Sequence, residues 1–243
     1  MWFETFFKDI YFWRLLRNTF TLSALSIVFG FPAPIILALL LNEVHNEKFK
    51  RTVQTITYMP YFISLVVMCS LIKIYCQENG LFSQIAEAFG GPRRNFMIDP
   101  SAFRPIYILS EIWQGIGWNS IIYLAALSGI DMEQYEAARI DGANRFQQVV
   151  HITLPGILPT ISILFVLRMG GILNVGYEKV LLLYTTNTYD VADVFSTYTY
   201  RMGLENQKYS LSTAVGLFNT VVNIFFLLLT NFVSRKTVQS GLF

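Results

Sequence analysis

The stretch "YSLSTAVGLFNTVVNIFFLLLTNFVS", residues 209–234, holds no Asp, Glu, Lys or Arg. A helix needs about 20 consecutive apolar residues to cross the hydrocarbon core of a bilayer, and this stretch is longer. In lipid every backbone N–H and C=O must be bonded internally, so an isolated run of this kind is helical. Residues 18–42 and 52–72 are equally free of charge. Two more apolar runs are interrupted once each, 105–130 by Glu111 and 157–174 by Arg168. The expectation is an all-α, polytopic membrane protein with five spans, A to E. They cover about 19–42, 54–75, 106–128, 157–175 and 211–233, within one transmembrane domain over 1–243. Only 14% of residues are charged, against about a quarter in soluble domains. That balance excludes an ordinary soluble enzyme.

Basic residues orient the spans, because Lys and Arg collect in cytoplasmic loops. If the loop after span C is cytoplasmic, that side carries Lys48, Lys50, Arg51, Arg139, Arg145, Arg235 and Lys236. The other side carries Lys8, Arg14, Arg17, Arg93, Arg94, Arg104, Lys179, Arg201 and Lys208. Counting gives no bias, but the first set sits in shorter loops, where the rule weighs most. This orientation leaves a basic N-terminal segment outside, an arrangement that an additional upstream span would relieve. Cys69 and Cys76 show no metal or redox spacing and read as free thiols. No metal site is expected, and nothing points to nucleic acid.

The loop after span C is unusual. "YEAARIDGANRFQQVVHITLP", residues 135–155, is polar and long for a connection. Asp131 followed by Gln134 resembles a capping box, which would start a helix near Met132. Gly142 supplies a stop, since glycine accepts the left-handed conformation past a helix end. Phe146, Val149, Val150 and Thr153 then repeat at helical spacing. Pro155 suits the first turn of span D. From these local features, a docking element and a segment lying on the membrane surface are equally good readings.

The complete pattern is more specific. Glu136-Ala137-Ala138, Gly142 and then Ile152, Leu154 and Pro155 match the spacing EAA-x3-G-x9-I-x-LP. This loop, at about 131–156, resembles the signature of permease subunits in binding-protein-dependent type I ABC importers. Asp141 before Gly142 matches a common variant of it. "FGFPAPIILALLLNE" and "FKRTVQTITYMPYFIS" are similar to the carbohydrate-importing, polysaccharide or aldouronate subfamily. The resemblance implies a bacterial cytoplasmic-membrane protein with its C-terminus in the cytoplasm and a coupling helix docked on an ATP-binding subunit. Glu136 would contact the ATPase, Ala137 and Ala138 would permit close approach, and Asp141, Gly142, Leu154 and Pro155 would shape the loop. Expected partners are ABC ATPase subunits, a second and different permease, an extracellular solute-binding protein and membrane lipid. Relatives usually carry a further span ahead of residues 2–18, making six, and its absence suggests a shortened N-terminus.

The chain has no GxxxxGK[ST] loop to cradle phosphates. It is therefore expected to be no enzyme and to bind no cofactor, with ATP and Mg used by the partner ATPase. Polar residues inside spans are costly and mark cavities or helix contacts. The candidates for a solute path are Glu111, Gln114 and Asn119 in span C, Arg168 and Asn174 in span D, and Asn219 and Asn223 in span E. Trp113, Trp118 and Tyr123 add rings on which sugar C–H faces can pack, and Tyr177 adds one at the mouth. Glu111 and Arg168 are expected to form an ion pair. The alternatives are a permease for a non-sugar solute and a membrane anchor or assembly protein without a transport path.

Overall fold

The computed structural model describes residues 2–238 and 241–242. Every regular element among them is helical. The chain begins with α1 (Trp2–Phe7), α2 (Phe12–Leu25) and α3 (Pro32–Asn42), then α4 (Glu47–Tyr58), α5 (Leu65–Cys76) and α6 (Leu81–Ala88). A long α7 (Pro100–Leu127) leads to α8 (Met132–Ile140), α9 (Arg145–Gln148) and α10 (Leu154–Met169). Three short helices follow, α11 (Tyr177–Leu183), α12 (Tyr189–Ala192) and α13 (Phe195–Tyr200), before α14 (Tyr209–Val238).

Four stretches are long and apolar enough to cross a membrane: Phe12–Asn42, Leu65–Ala88, Arg145–Met169 and Tyr209–Val238. With its 28 residues α7 is long enough too, but Glu111, Gln114 and Asn119 make it more polar than these four. Span A contains a π-helical turn, Ser26–Gly30, ahead of the prolines that open α3.

Two boundaries need correction. Span B, expected as one helix over 54–75, is broken: α4 ends at Tyr58, Met59–Phe62 form a 3-10 turn, and α5 begins at Leu65. Pro60 lacks an N–H and cannot continue the α-helical ladder. Ser64 then caps α5 by accepting from the Val67 N–H. Span D, expected to reach 175, ends at Met169, where Gly170 is the C-cap and Gly171 follows. Asn174 consequently lies beyond the helix.

The chain divides into two compact units. The first contains the residues up to Ser26, Phe62–Glu111 and Ile172–Asn223. Its core joins Phe6, Phe12 and Leu15 to Phe195, Tyr198, Leu211 and Val215. Around it runs a polar network. Asp193 accepts from Arg14 at 3.3 Å, Arg201 at 3.0 and 3.2 Å, and Thr197 at 2.7 Å. Asn18 donates to the carbonyls of Asp190 and Asp193 and accepts from Arg104.

The second unit contains Ile27–Tyr61, Ile112–Gly171 and the chain from Ile224 onward. Its core packs Ala38, Tyr123, Leu127 and Ile157, with Ile35, Leu124, Ile130 and Ile161 around them. Close approach is its other device. A Cβ added to Gly156 would lie 2.9 Å from Ile130 Cδ1, and one added to Gly117 would collide with the Thr57 carbonyl oxygen.

Candidate functional site

The polar loop folds as two capped helices. Asp131 accepts from the Glu133 N–H at 3.0 Å and starts α8, whose limits Met132–Ile140 agree with the sequence expectation. At the far end the Gly142 N–H reaches Arg139 O and the Ala143 N–H reaches Ala138 O. This double bond pattern is a Schellman end. Gly142 has φ +80 with open space around a would-be Cβ, so its backbone conformation, not crowding, requires glycine. The reciprocal capping box expected at Asp131 and Gln134 occurs instead at Asn144 and Gln147, where it opens α9.

A π turn, Val149–Thr153, carries α9 into α10, with Pro155 in the first turn of α10 as expected. The Thr153 hydroxyl meets Tyr135 OH at 3.0 Å and ties α8 to the foot of α10. Arg145 lies 3.7 Å from Glu43 and links the loop to the end of α3. Ala138, Asp141 and Gly142 share a cavity of about 280 Å³ with Gln147, Gln148 and His151. Glu136 is exposed and forms no hydrogen bond or ion pair among the described residues. Ile140 and Phe146, 87% and 77% exposed, add unpartnered apolar surface beside it. Small alanines, a free carboxylate and exposed apolar side chains together form a surface suited to another protein.

The path candidates separate by environment. In the second unit Trp113, Trp118 and Asn119 are exposed, Gln114 is half-buried, and Arg168 occupies the last turn of α10. A cation there complements the helix dipole. Tyr123 is 3% exposed and belongs to the core, so it packs instead of facing an open path.

In the first unit both Glu111 oxygens accept from Ser26 at 2.9 Å. Asn223 accepts from the Leu173 N–H at 3.0 Å and donates to Asn174 at 3.1 Å, so these two amides anchor the segment after α10. One turn earlier, the buried Asn219 carbonyl oxygen has no partner among the described residues. Glu111 thus belongs to the first unit and Arg168 to the second.

Two features escaped the sequence reading. Lys179 is buried, donates to the Tyr107 carbonyl at 2.9 Å and sits 4.5 Å over the Tyr107 ring. Burial pushes its amine down to about 8, with Glu111 and then Cys69 partly opposing the shift. Tyr61 stacks on Trp118, ring centroids 4.6 Å apart and planes 7° from parallel. The only local signal for that pair was Pro60 inside an otherwise span-like run.

The family profile described as a binding-protein-dependent transport system inner membrane component matches residues 30–239. Protein LplB of Bacillus subtilis (strain 168) is 44% identical over 243 residues, covering 100% of this chain and 76% of that protein. The polygalacturonan/rhamnogalacturonan transport system permease protein YteP of the same organism is 43% identical over 238 residues, covering 98% and 74%. Among solved structures, a chain of the bacterial alginate ABC transporter in complex with alginate pentasaccharide-bound periplasmic protein is similar with a TM-score of 0.95. It is 46% identical, over 99% of this chain and 84% of that one.

Proposed function

The chain belongs to the inner membrane components of binding-protein-dependent transport systems, and from that premise we propose that it is the permease half of an importer passing an oligosaccharide across the bacterial cytoplasmic membrane by alternating access. The observation that carries the choice of solute is similarity at 43–46% identity, along nearly the whole chain, to a polygalacturonan/rhamnogalacturonan permease and an alginate importer. The solute is delivered by an external binding protein and passes between this chain and a second permease. The polar and aromatic face of α7 (Gln114, Trp118, Asn119) meets it.

Energy enters through the loop at 131–156. A partner's ATP cycle can bias inward- and outward-facing states only through contacts that differ between them. Glu136, Ala137, Ala138, Asp141 and Gly142 offer such contacts, and Leu154 and Pro155 open the helix that follows the loop. This role sets the loop and the C-terminus in the cytoplasm, where Arg235 and Lys236 of the last α14 turn agree with the charge rule.

The test is ATP-dependent uptake of labelled oligosaccharides by proteoliposomes holding both permeases and the ATPase, with the binding protein outside. Uptake of an amino acid or inorganic anion, and of no carbohydrate, would overturn the choice of solute. For the docking role, Glu136→Gln is expected to weaken ATPase co-purification about tenfold, a loss of about 1.4 kcal/mol, without lowering membrane insertion. An unaltered complex after replacing both Glu136 and Gly142 would overturn it.

A further inference from the structure

The guanidinium groups gathered around α2 outnumber the carboxylates that serve them. Arg14 pairs with Asp190 at 2.9 Å and with Asp193 at 3.3 Å, and Arg201 shares Asp193 at 3.0 Å. Arg104 and Arg17 stand beside this network without an ion pair among the described residues. Arg104 Nη2 donates to Asn18 Oδ1 at 3.1 Å, a neutral acceptor that leaves the cation uncompensated. Its Nε is enclosed without a partner, whereas Nη1 is neither bonded nor enclosed. The Arg17 side chain is exposed and makes no hydrogen bond among the described residues. It lies near enough for its charge to act on Arg104. Two like charges side by side oppose each other, and an anion from outside the chain would relieve both.

The face that carries Arg17 says where that anion lies. On α2 Phe12, Leu15, Thr19 and Leu22 are buried, while Trp13, Arg17 and Ala24 are exposed on the opposite side at helical spacing. α2 opens a stretch long and apolar enough to cross a membrane, so this exposed side meets lipid or another subunit. Trp13, 73% exposed, carries the ring type that settles at the membrane–water boundary. Arg17 follows by one turn, about 6 Å along the axis, a depth from which its long side chain reaches back to the phosphate layer. A neighbouring subunit would have to bury a carboxylate of its own against the two cations, and desolvation offsets most of the attraction in such pairs. A phospholipid headgroup is already at that depth and stays hydrated.

We propose that Arg17 and Arg104 form a binding site for the phosphate of a membrane phospholipid, Arg17 from the exposed side of α2 and Arg104 through Nη1, with Asn18 holding the Arg104 guanidinium in place. Guanidinium groups take phosphate and carboxylate oxygens alike, so the test separates a lipid from an acidic sugar. The site is independent of which solute the importer carries.

The experiment titrates the complete importer, purified in uncharged detergent and stripped of lipid, with dioleoyl phosphatidylglycerol and counts bound lipids by native mass spectrometry. The parent is expected to hold one phosphatidylglycerol more tightly than the rest. Arg17→Gln should weaken that binding about tenfold, the loss of one charge-assisted contact, and Arg17→Lys should keep it within about threefold. Arg104→Gln should match Arg17→Gln. A diglucosyl diacylglycerol with the same acyl chains but no phosphate should bind parent and Arg17→Gln equally, and more weakly than phosphatidylglycerol binds the parent. Unchanged phosphatidylglycerol binding in Arg17→Gln would overturn the proposal, as would equally tight binding of the glycolipid to the parent. Displacement of the tight lipid by soluble galacturonate oligomers would assign the two arginines to an acidic sugar instead. Loss of the second permease or of the docked binding protein from the Arg17→Gln complex would make them a subunit contact and overturn the lipid site.

Discussion

Asp193 in the first unit and Gly117 in the second are both buried at points where distant parts of the chain meet. The Asp193 carboxylate, 1% exposed, draws guanidinium groups from Arg14 and Arg201. Around it Asn18, Thr19 and Tyr198 bond partners more than 170 residues away. Gly117 carries no side chain at all and acts by letting α7 and α4 touch at backbone distance. At Gly156 and Gly170 the missing side chain instead makes room for the side chains of Ile130 and Leu227. The first unit includes the connections expected outside the membrane, 76–105 and 176–210, together with parts of spans A, B, C and E, and water at those connections lowers the cost of gathering charge. The second consists largely of membrane helices and the loop proposed to dock, where small residues permit the dispersion contacts that hold helices together in lipid.

The sharpest way to break this contrast is Asp193→Ala. It removes the buried carboxylate that the part-buried Arg14 and Arg201 share, a change that costs up to about 3–5 kcal/mol. Thermal unfolding in detergent should fall accordingly, with hydrogen exchange rising in α2 and α13 and staying level in α8. A loss below about 1 kcal/mol would mean the charges decorate the unit instead of holding it.

Lys179 sharpens the same point through pH. Its folded pKa, about 8, lies below its ordinary 10.5, so between those values the unfolded chain binds more protons and stability rises with pH. The gain across that window is at most about 3 kcal/mol. It should appear as the difference between parent and Lys179→Met unfolding curves, with the variant lacking the rise. A flat difference would show that the Tyr107 carbonyl and ring fully replace water around the amine. The smallest effect expected is from Gly117→Ala, an overpacking cost of about 1–3 kcal/mol. Exchange should increase in α4 and the neighbouring part of α7 but not in α12 or α13. Equal loosening in both units would erase the distinction.

What could be read from the sequence follows the same division. The limits of α8, the Gly142 turn and Pro155 at the start of α10 were legible because each depends on residues within a few positions. The charge-free runs gave membrane helices for the same reason. Hydropathy measures length and polarity, however, not the backbone ladder, so it carried span B straight through Pro60 and span D past Gly170. The Asp193 network left no local trace, since its partners meet only when the ends of the chain do. Trp118 stood out as an aromatic in a span, whereas Tyr61 looked like one more ring until the turn placed it.

The π turn at Val149–Thr153 bears on how this protein can change over generations. There the Leu154 N–H reaches back to Val149 O, one residue further than in an α-helix, so the turn holds a residue that the ladder can gain or lose. Each such gain or loss rotates everything downstream by about 100°. The turn sits between α8, which carries the proposed docking residues, and α10, so a single insertion or deletion there would swing one helix against the other. The linkage can therefore be re-phased there without rebuilding either end.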